Sequence, residues 1–236
     1  CSDGKEYNES YDKLLLSPGA SPVVPPLKGI ENEGIFTLRN VNDTDRIKKY
    51  MTEHRVKRAV IVGGGFIGLE MAENISHAGA QVAVVEMASQ VMAPMDYSMA
   101  AIVHEHLLSH KVKLYLEQAV EGFDRENGEL IIHFKSGISL KADMVLLSIG
   151  VRAETALAQN AGLKIGEMRG ISVNEYLQSS DDNIYAVGDA IEYPHPITGK
   201  PWLNFLAGPA NRQARVAADN MVLGNKTKYE GSIGTA

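Results

Sequence analysis

RAVIVGGGFIGLEMAENISHAGAQVAVVEM, residues 58–87, changes hydrophobic rhythm twice within one short stretch. It opens on the apolar run AVIV, breaks at three successive glycines, and continues with apolar residues at helical spacing to about His77. It closes on a second apolar run, Val82 to Val85. A strand without polar alternation is buried on both faces, as strands of parallel sheets are. The stretch therefore predicts a βαβ unit. Within it, Gly63-Gly64-Gly65-Phe66-Ile67-Gly68 fits G-x-G-x-x-G, placed between strand and helix. Gly63 permits a tight turn, and Gly65 lets backbone approach a pyrophosphate lying on the helix N-terminus. Gly68 lets helix and strand pack closely. Gly64, Phe66 and Ile67 belong to the same candidate dinucleotide cradle.

Glu86 stands 23 residues after Gly63, at the end of the second strand, where a carboxylate accepts hydrogen bonds from ribose hydroxyls. A 2′-phosphate would set like charge against it, and no Lys or Arg lies between Met87 and Tyr97 to offset that. NADH is therefore expected over NADPH. Glu70, two residues past the last glycine, reads either as a first-turn acid facing the helix dipole or as a ligand contact.

The rest of the chain of 236 residues suits one large domain or two modest ones. Its 23 basic and 29 acidic residues give a net charge of -6, with no Lys/Arg block of the kind nucleic acid or anionic membranes attract. One cysteine, Cys1, excludes an internal disulfide framework and a thiolate metal cluster. No apolar stretch approaches the roughly 20 residues that span a bilayer, and no signal peptide is recognised, so a cytoplasmic location is expected. His104, His106 and His110 read as a solvated helix face, and no metal site is expected. His195, between two prolines, has no evident partner, and Trp202 and Phe205 read as core.

Further elements follow from local signals. A strand is expected at Lys13 to Ser17, and a helix from about Asp43 to His54 capped by Asn42 or Asp43. DYSMAAIVHEHLLSHK reads as a helix with Ile102, Val103, Leu107 and Leu108 on one face. Glu126-Asn127-Gly128 marks a hairpin turn. AGPANRQARVAADNMVLG reads as a helix with Pro209 in its first turn and Gly224 past its end. Residues 12–19 (DKLLLSPG) and 143–150 (DMVLLSIG) repeat Asp, Leu, Ser and Gly in one register, which points to a shared role: a strand leaving a nucleotide-binding layer at a glycine. NIYAVGDA, residues 183–190, ends a buried run on Gly188-Asp189; Asp189 reads as a cap for the next turn or as a ligand contact.

YDKLLLSPGA, GGGFIGLE with its later Glu86, ADMVLLSIGVR and SSDDNIYAVGDA occur here in the order found in flavoprotein pyridine nucleotide–disulfide oxidoreductases, and the chain resembles that family from about Tyr11 to Ala236. GGGFIGLEMAENI and LAGPANRQARVAADNM are most similar to the branch of coenzyme A-disulfide reductases, NADH-dependent persulfide reductases and NADH oxidases. The resemblance implies an α/β fold: a Rossmann-like NAD-binding domain, residues 33–151, inserted into an incomplete FAD-binding domain of the same general type, residues 1–32 and 152–236. It implies that Asp189 bonds the ribityl side of FAD while Gly188 admits the backbone, and that Ser17 to Gly19 line the adenosine-diphosphate side. Phe66 would gate the nicotinamide, Glu70 would help seat it, and Gly150 would lie at the NAD crossing. The helix beginning at Ala207 and Gly208 would aim its positive end at the flavin pyrimidine.

The chain also departs from the family pattern. It carries one glycine motif where the family has an earlier one for FAD, and Cys1 lacks the context of the family's redox cysteine. It is expected to be a piece of a longer, homodimeric protein, with that cysteine upstream and a dimerisation domain downstream. The whole enzyme would pass hydride from NADH to FAD and electrons on to a small disulfide or persulfide, coenzyme A-disulfide foremost. The piece alone is expected to be inactive. The alternatives are an oxidase, peroxidase or ferredoxin-reductase type of flavoprotein, and an NAD-binding module without chemistry.

Overall fold

A computed structural model of the chain describes residue 4 and residues 6–233; Cys1 and the last three residues lie outside the described range. The chain runs β1 (Leu14–Leu16), β2 (Ala20–Pro22), β3 (Ile35–Thr37), α1 (Val41–Glu53), β4 (Arg58–Val62), α2 (Phe66–His77), β5 (Gln81–Val85) and α3 (Tyr97–Ser109). There follow β6 (Lys113–Tyr115), β7 (Val120–Glu126), β8 (Glu129–Phe134), β9 (Ser139–Ala142), β10 (Met144–Leu147), β11 (Val151–Ala153) and α4 (Ala156–Asn160). The last elements are β12 (Ile171–Ser172), β13 (Ile184–Ala186), β14 (Ile191–Pro194), β15 (Pro201–Trp202) and α5 (Ala207–Leu223). They form two compact units, one of residues 1–21 with 152–236, the other of residues 22–151.

The 22–151 unit is built on a parallel sheet in the order β3-β10-β4-β5-β6. Alternation along β4 explains its unbroken apolar run. Ala59 and Ile61 join a core with Ala72 and Ile75 of α2 and Leu107 of α3. Val60 and Val62 point the other way, into a core with Phe123, Leu130, Ile132 and Phe134 of the antiparallel β7-β8-β9 sheet. Both faces of β4 are thus covered, by helices on one side and a second sheet on the other. The predicted hairpin joins β7 to β8 through Asn127 (φ 51°) and Gly128 (φ 86°), two positive-φ residues as a twist-matched two-residue turn requires. Residues 22–32 pack in this unit: Leu27 and Ile30 join the second core, and Lys28 bridges to Gly122.

Arg58 ties the lower end of this sheet. Its guanidinium donates to Glu129 and to Asp143, both at 2.7 Å, and Asp143 also accepts from the Lys57 and Arg58 amides. Burial alone would raise the Asp143 carboxyl, but these bonds outweigh it and hold the group below its ordinary range.

Two local readings are corrected. Helix α1 starts at Val41, and its cap is Asn40, whose side chain accepts from Asp43 N while the Asp43 carboxylate reaches back to Asn40 N. Helix α3 buries Ala100 and Leu107 with Val103 packed beside them, whereas Ile102 and Leu108 are exposed. Apolar residues lie all round that helix, so spacing alone could not select the buried stripe.

In the other unit β1 pairs with β13 in parallel, Leu14 opposite Ile184, and a small β12-β14-β15 sheet lies beside them. Leu14 to Leu16, Ile184, Ala186, Ile191, Tyr193 and Ala217 share its core. Helix α5 ends at Gly224 (φ 75°), as its sequence predicts.

Candidate functional site

The glycine turn sits at the carboxyl end of β4, where open α/β sheets take their ligands. Three of its glycines are demanded by packing. Gly63 has φ 112° and lies against the Ser148 carbonyl, where a methyl group would collide. At Gly64 a Cβ would stand 2.8 Å from Val91 Cγ1, and at Gly68 it would run into the Gly63 carbonyl and stand 2.7 Å from Ser148 Oγ. Gly65 is different. It is the N-cap of α2 with an ordinary φ of -82°, and nothing lies within 4 Å of where its Cβ would be. Nothing in the fold requires glycine there beyond a mild N-cap preference. The space it leaves open borders the free N–H groups at the start of α2, which attract anions.

Ser148 and Glu86 hold this turn. The Ser148 hydroxyl, at 3.2 Å from both the Val62 and Gly63 carbonyls, caps the end of β4 from the neighbouring β10. Glu86 Oε2 accepts from Gly64 N at 2.7 Å, and Oε1 accepts from Ala88 N at 2.8 Å. The carboxylate expected to face a ribose thus also braces the turn. A carboxylate has about four acceptor positions, so two remain. The loop after Glu86 folds over Gly64: Met92 N donates to the Gly64 carbonyl, and Val91 N donates to His104 Nε2 at 3.1 Å. His104 therefore carries its proton on Nδ1, a buttressing role that composition did not reveal. His106 and His110 are exposed, and no metal-binding group of three or more His, Cys, Asp or Glu occurs among the described residues.

Phe66 and Ile67 project outward at 51% and 41% exposure, and Glu70 is exposed on the second turn of α2. Its expected place on the first turn is corrected by the helix start at Phe66, which moves it away from the strongest part of the helix dipole. Gly150, exposed with φ 119°, follows β10 as Gly19, with φ 76°, follows β1. The two copies of the repeated motif differ at serine: Ser148 is engaged, whereas Ser17 is exposed with no hydrogen bond among the described residues. A separate cavity of about 170 Å³ at Thr37, Leu147, Asp43 and Arg46 includes no residue of the glycine turn.

In the other unit, Gly188 (φ 78°), Asp189 and Ala190 form a single 3₁₀ turn after β13. Asp189 is half-buried, burial pushes its carboxyl above the usual range, and no hydrogen bond or ion pair reaches it among the described residues. A partly desolvated carboxylate without a donor from the fold is open to a ligand that donates to it. Helix α5 begins close by: Gly188 is 3.7 Å from Ala210 Cβ when given a methyl group. The α5 N-cap, Leu206, supplies no side-chain acceptor, its first turn has no acid, and Ala207 and Gly208 are exposed. Trp202 packs on this unit's core while Phe205 is exposed. His195 does have partners: its Nδ1 accepts from Ile197 and Thr198 N, closing its own turn.

One unit thus carries a glycine turn braced by an acid, and the other a glycine–aspartate turn near a helix N-terminus without a side-chain cap. The family model for pyridine nucleotide-disulphide oxidoreductases matches residues 1–216. The chain belongs to that family. An NADH oxidase of Methanocaldococcus jannaschii is 40% identical over 229 residues, covering 96% of this chain and 50% of the relative. The crystal structure of reduced Bacillus anthracis CoADR-RHD is 47% identical with a TM-score of 0.95, over 100% of this chain and 42% of that one. An NAD-dependent persulfide reductase from A. fulgidus is 37% identical with a TM-score of 0.90, over 96% and 42% respectively. The chain spans about half the length of the curated relatives it matches. The family resemblance and the Rossmann-type fold read from the sequence are borne out. Among the described residues no helix is long and apolar enough to cross a membrane.

Proposed function

We propose that the complete protein is a flavin-dependent oxidoreductase that carries reducing equivalents from NADH to a small disulfide or persulfide, coenzyme A-disulfide foremost. In this reading the 22–151 unit takes NADH. The amides at the start of α2 receive the pyrophosphate across Gly65, and the two remaining acceptor positions of Glu86 hold the ribose hydroxyls. Phe66 and Glu70 border the nicotinamide, and Gly150 lets the chain pass without a side chain. The negative charge of Glu86, with no neighbouring cation in the loop after it, disfavours a 2′-phosphate and selects NADH.

The other unit takes FAD. The free acceptor of Asp189 suits a hydroxyl-bearing chain such as the ribityl, and exposed Ser17 with half-buried Pro18 and Gly19 offers a border of small side chains. The uncapped N-terminus of α5, at Ala207 and Gly208, places partial positive charge where a pyrimidine ring gains electron density. FAD, when bound, supplies a two-electron carrier between NADH and the substrate. The thiol that meets the substrate is placed outside this chain, and the complete protein is taken as a cytoplasmic homodimer.

The observation that carries the reading is Gly65: a glycine that the fold itself does not need, at the mouth of free helix amides. NADH titration of the wild-type protein and of Gly65→Ala tests it. A second reading, reduction of oxygen, is favoured by the similarity to the M. jannaschii NADH oxidase. Substrate assays on the full-length protein separate the two: NADH consumption that needs coenzyme A-disulfide or persulfide supports the first, and consumption sustained by oxygen alone supports the second.

A further inference from the structure

The Gly188–Asp189 turn and helix α5 are joined by one side chain. Gln213, 1% exposed, accepts from Gly188 N with its Oε1 at 2.7 Å. Its Nε2 donates to the Tyr229 hydroxyl at 3.2 Å. The Tyr229 hydroxyl donates to Ser232 Oγ at 3.2 Å, and Ser232 also accepts from Asn204 Nδ2 and meets the Tyr193 hydroxyl. The amide orientation is fixed by this chain: reversed, Gln213 would set an N–H donor against Gly188 N–H. The segment that holds Tyr229 is itself tied down. Buried Asn220 of α5 accepts from Lys226 and Thr227 N and donates to the Thr227 carbonyl, and Tyr229 N donates to the Glu175 carbonyl.

These contacts exceed what burial alone asks. Gly188 stands in a left-handed conformation immediately before a half-buried carboxylate, so a small rotation of this turn redirects Asp189. Gln213 lies on the same helix whose exposed start, Ala207 and Gly208, is assigned to the flavin in the FAD reading. One amide therefore sets the register between the two.

We propose that Gln213 is a positioning residue for FAD, holding the Gly188–Asp189 turn against α5, and that residues 229–232 belong to the same device through Tyr229 and Ser232. The inference rests on the FAD reading above. Gln213 touches no cofactor atom itself; it acts through Gly188 and through the helix.

The test uses full-length protein freed of flavin and titrated with FAD, following the flavin absorbance, with NADH affinity, the melting temperature of the flavin-free protein and the midpoint potential of the bound flavin measured beside it. Gln213→Met, near-isosteric but with only a weak thioether acceptor in place of the amide oxygen, should raise the FAD dissociation constant about tenfold or more, since a buried N–H loses its strong partner. NADH affinity should stay within about twofold, and the bound flavin's potential should become more negative as α5 moves from register. A lower melting temperature with FAD affinity and potential unchanged would mean that Gln213 only packs the core, and the proposal would be overturned. Should Gln213→Met not fold, Tyr229→Phe, which removes one hydroxyl and keeps the ring, carries the same test: FAD affinity at least about threefold weaker supports the device, and wild-type affinity overturns it. Wild-type protein that binds no FAD overturns the FAD reading itself, and this inference with it.

Discussion

Two glycine-to-alanine changes three residues apart should have opposite consequences. At Gly68 the new methyl group meets the Gly63 carbonyl, which cannot retreat without parting α2 from β4, and, at 2.7 Å, Ser148 Oγ, which can turn away only by giving up its bonds to the Val62 and Gly63 carbonyls. Overpacking of this kind costs about 1–3 kcal/mol. For a protein of this size each kcal/mol lowers the melting temperature by about 2–4 °C, so a fall of roughly 2–12 °C is expected. At Gly65 the methyl enters open space at a φ of -82°. Alanine is a poorer N-cap than glycine by roughly 0.5–1 kcal/mol, while the loss of unfolded-state freedom returns about 0.4–1 kcal/mol. Stability should therefore change by less than about 1 kcal/mol. Binding should not be spared: the methyl occupies the ground over which the pyrophosphate approaches, and a loss of at least about tenfold in NADH affinity, about 1.4 kcal/mol, is expected. Thermal denaturation read by circular dichroism and NADH titration read by coenzyme fluorescence separate the two effects. Gly65→Ala protein that melts like wild type and still binds NADH with wild-type affinity would refute the assignment of the open space to the coenzyme.

Glu86→Arg should shift the ratio of NADH to NADPH dissociation constants toward NADPH, and should also weaken both, because Gly64 N and Ala88 N lose their acceptor; an unchanged ratio in paired titrations would count against the ribose role. Asp189 carries a folded-state pKa raised by burial, so its ionisation opposes folding: in flavin-free protein its contribution is favourable below the ordinary aspartate range and is lost as pH rises through the raised value. Asp189→Asn should accordingly stabilise flavin-free protein at pH 7 but not near pH 3, in urea melts at both, while weakening FAD binding. Arg58→Met should do the reverse in the other unit: Glu129, left with Lys141, and Asp143, left with two backbone amides, each lose the guanidinium that helps hold their carboxyls low, and part of the stability they contribute above the ordinary carboxylate range is lost. The variant's urea midpoint should fall at pH 7, and the gap to wild type should narrow as pH drops through the lowered values.

The sequence made the β4–α2–β5 unit plain because every signal there is local: two apolar runs, a glycine spacing and a helical period agree within thirty residues. The Asn127-Gly128 hairpin and the Pro209 and Gly224 limits of α5 were legible for the same reason. Contacts to backbone left no such trace. Spacing marks Glu86 as a ribose acceptor, whereas its grip on Gly64 N depends on how the turn folds. His104 has the local signature of a surface histidine, and its bond from Val91 N, thirteen positions away, is set by the fold. Gln213 meets Gly188 across 25 residues, and no periodicity in α5 marks a buried glutamine as different from an exposed one. Helix α3 misled because it is apolar on every side. The motif shared by residues 12–19 and 143–150 did carry information about Ser148, whose hydroxyl closes the glycine turn, but gave no sign that Ser17 would stay unengaged.

The central claim is that a dinucleotide lies across the turn of residues 63–68 with its ribose against Glu86. Amide NMR of the isotopically labelled protein during NADH titration addresses it directly. The account predicts that the largest shifts fall on Gly64 to Gly68, on Ala88 beside Glu86, and on Gly150, saturating together. Saturable NADH binding that leaves those amides unmoved, with shifts confined to other parts of the chain, would contradict it.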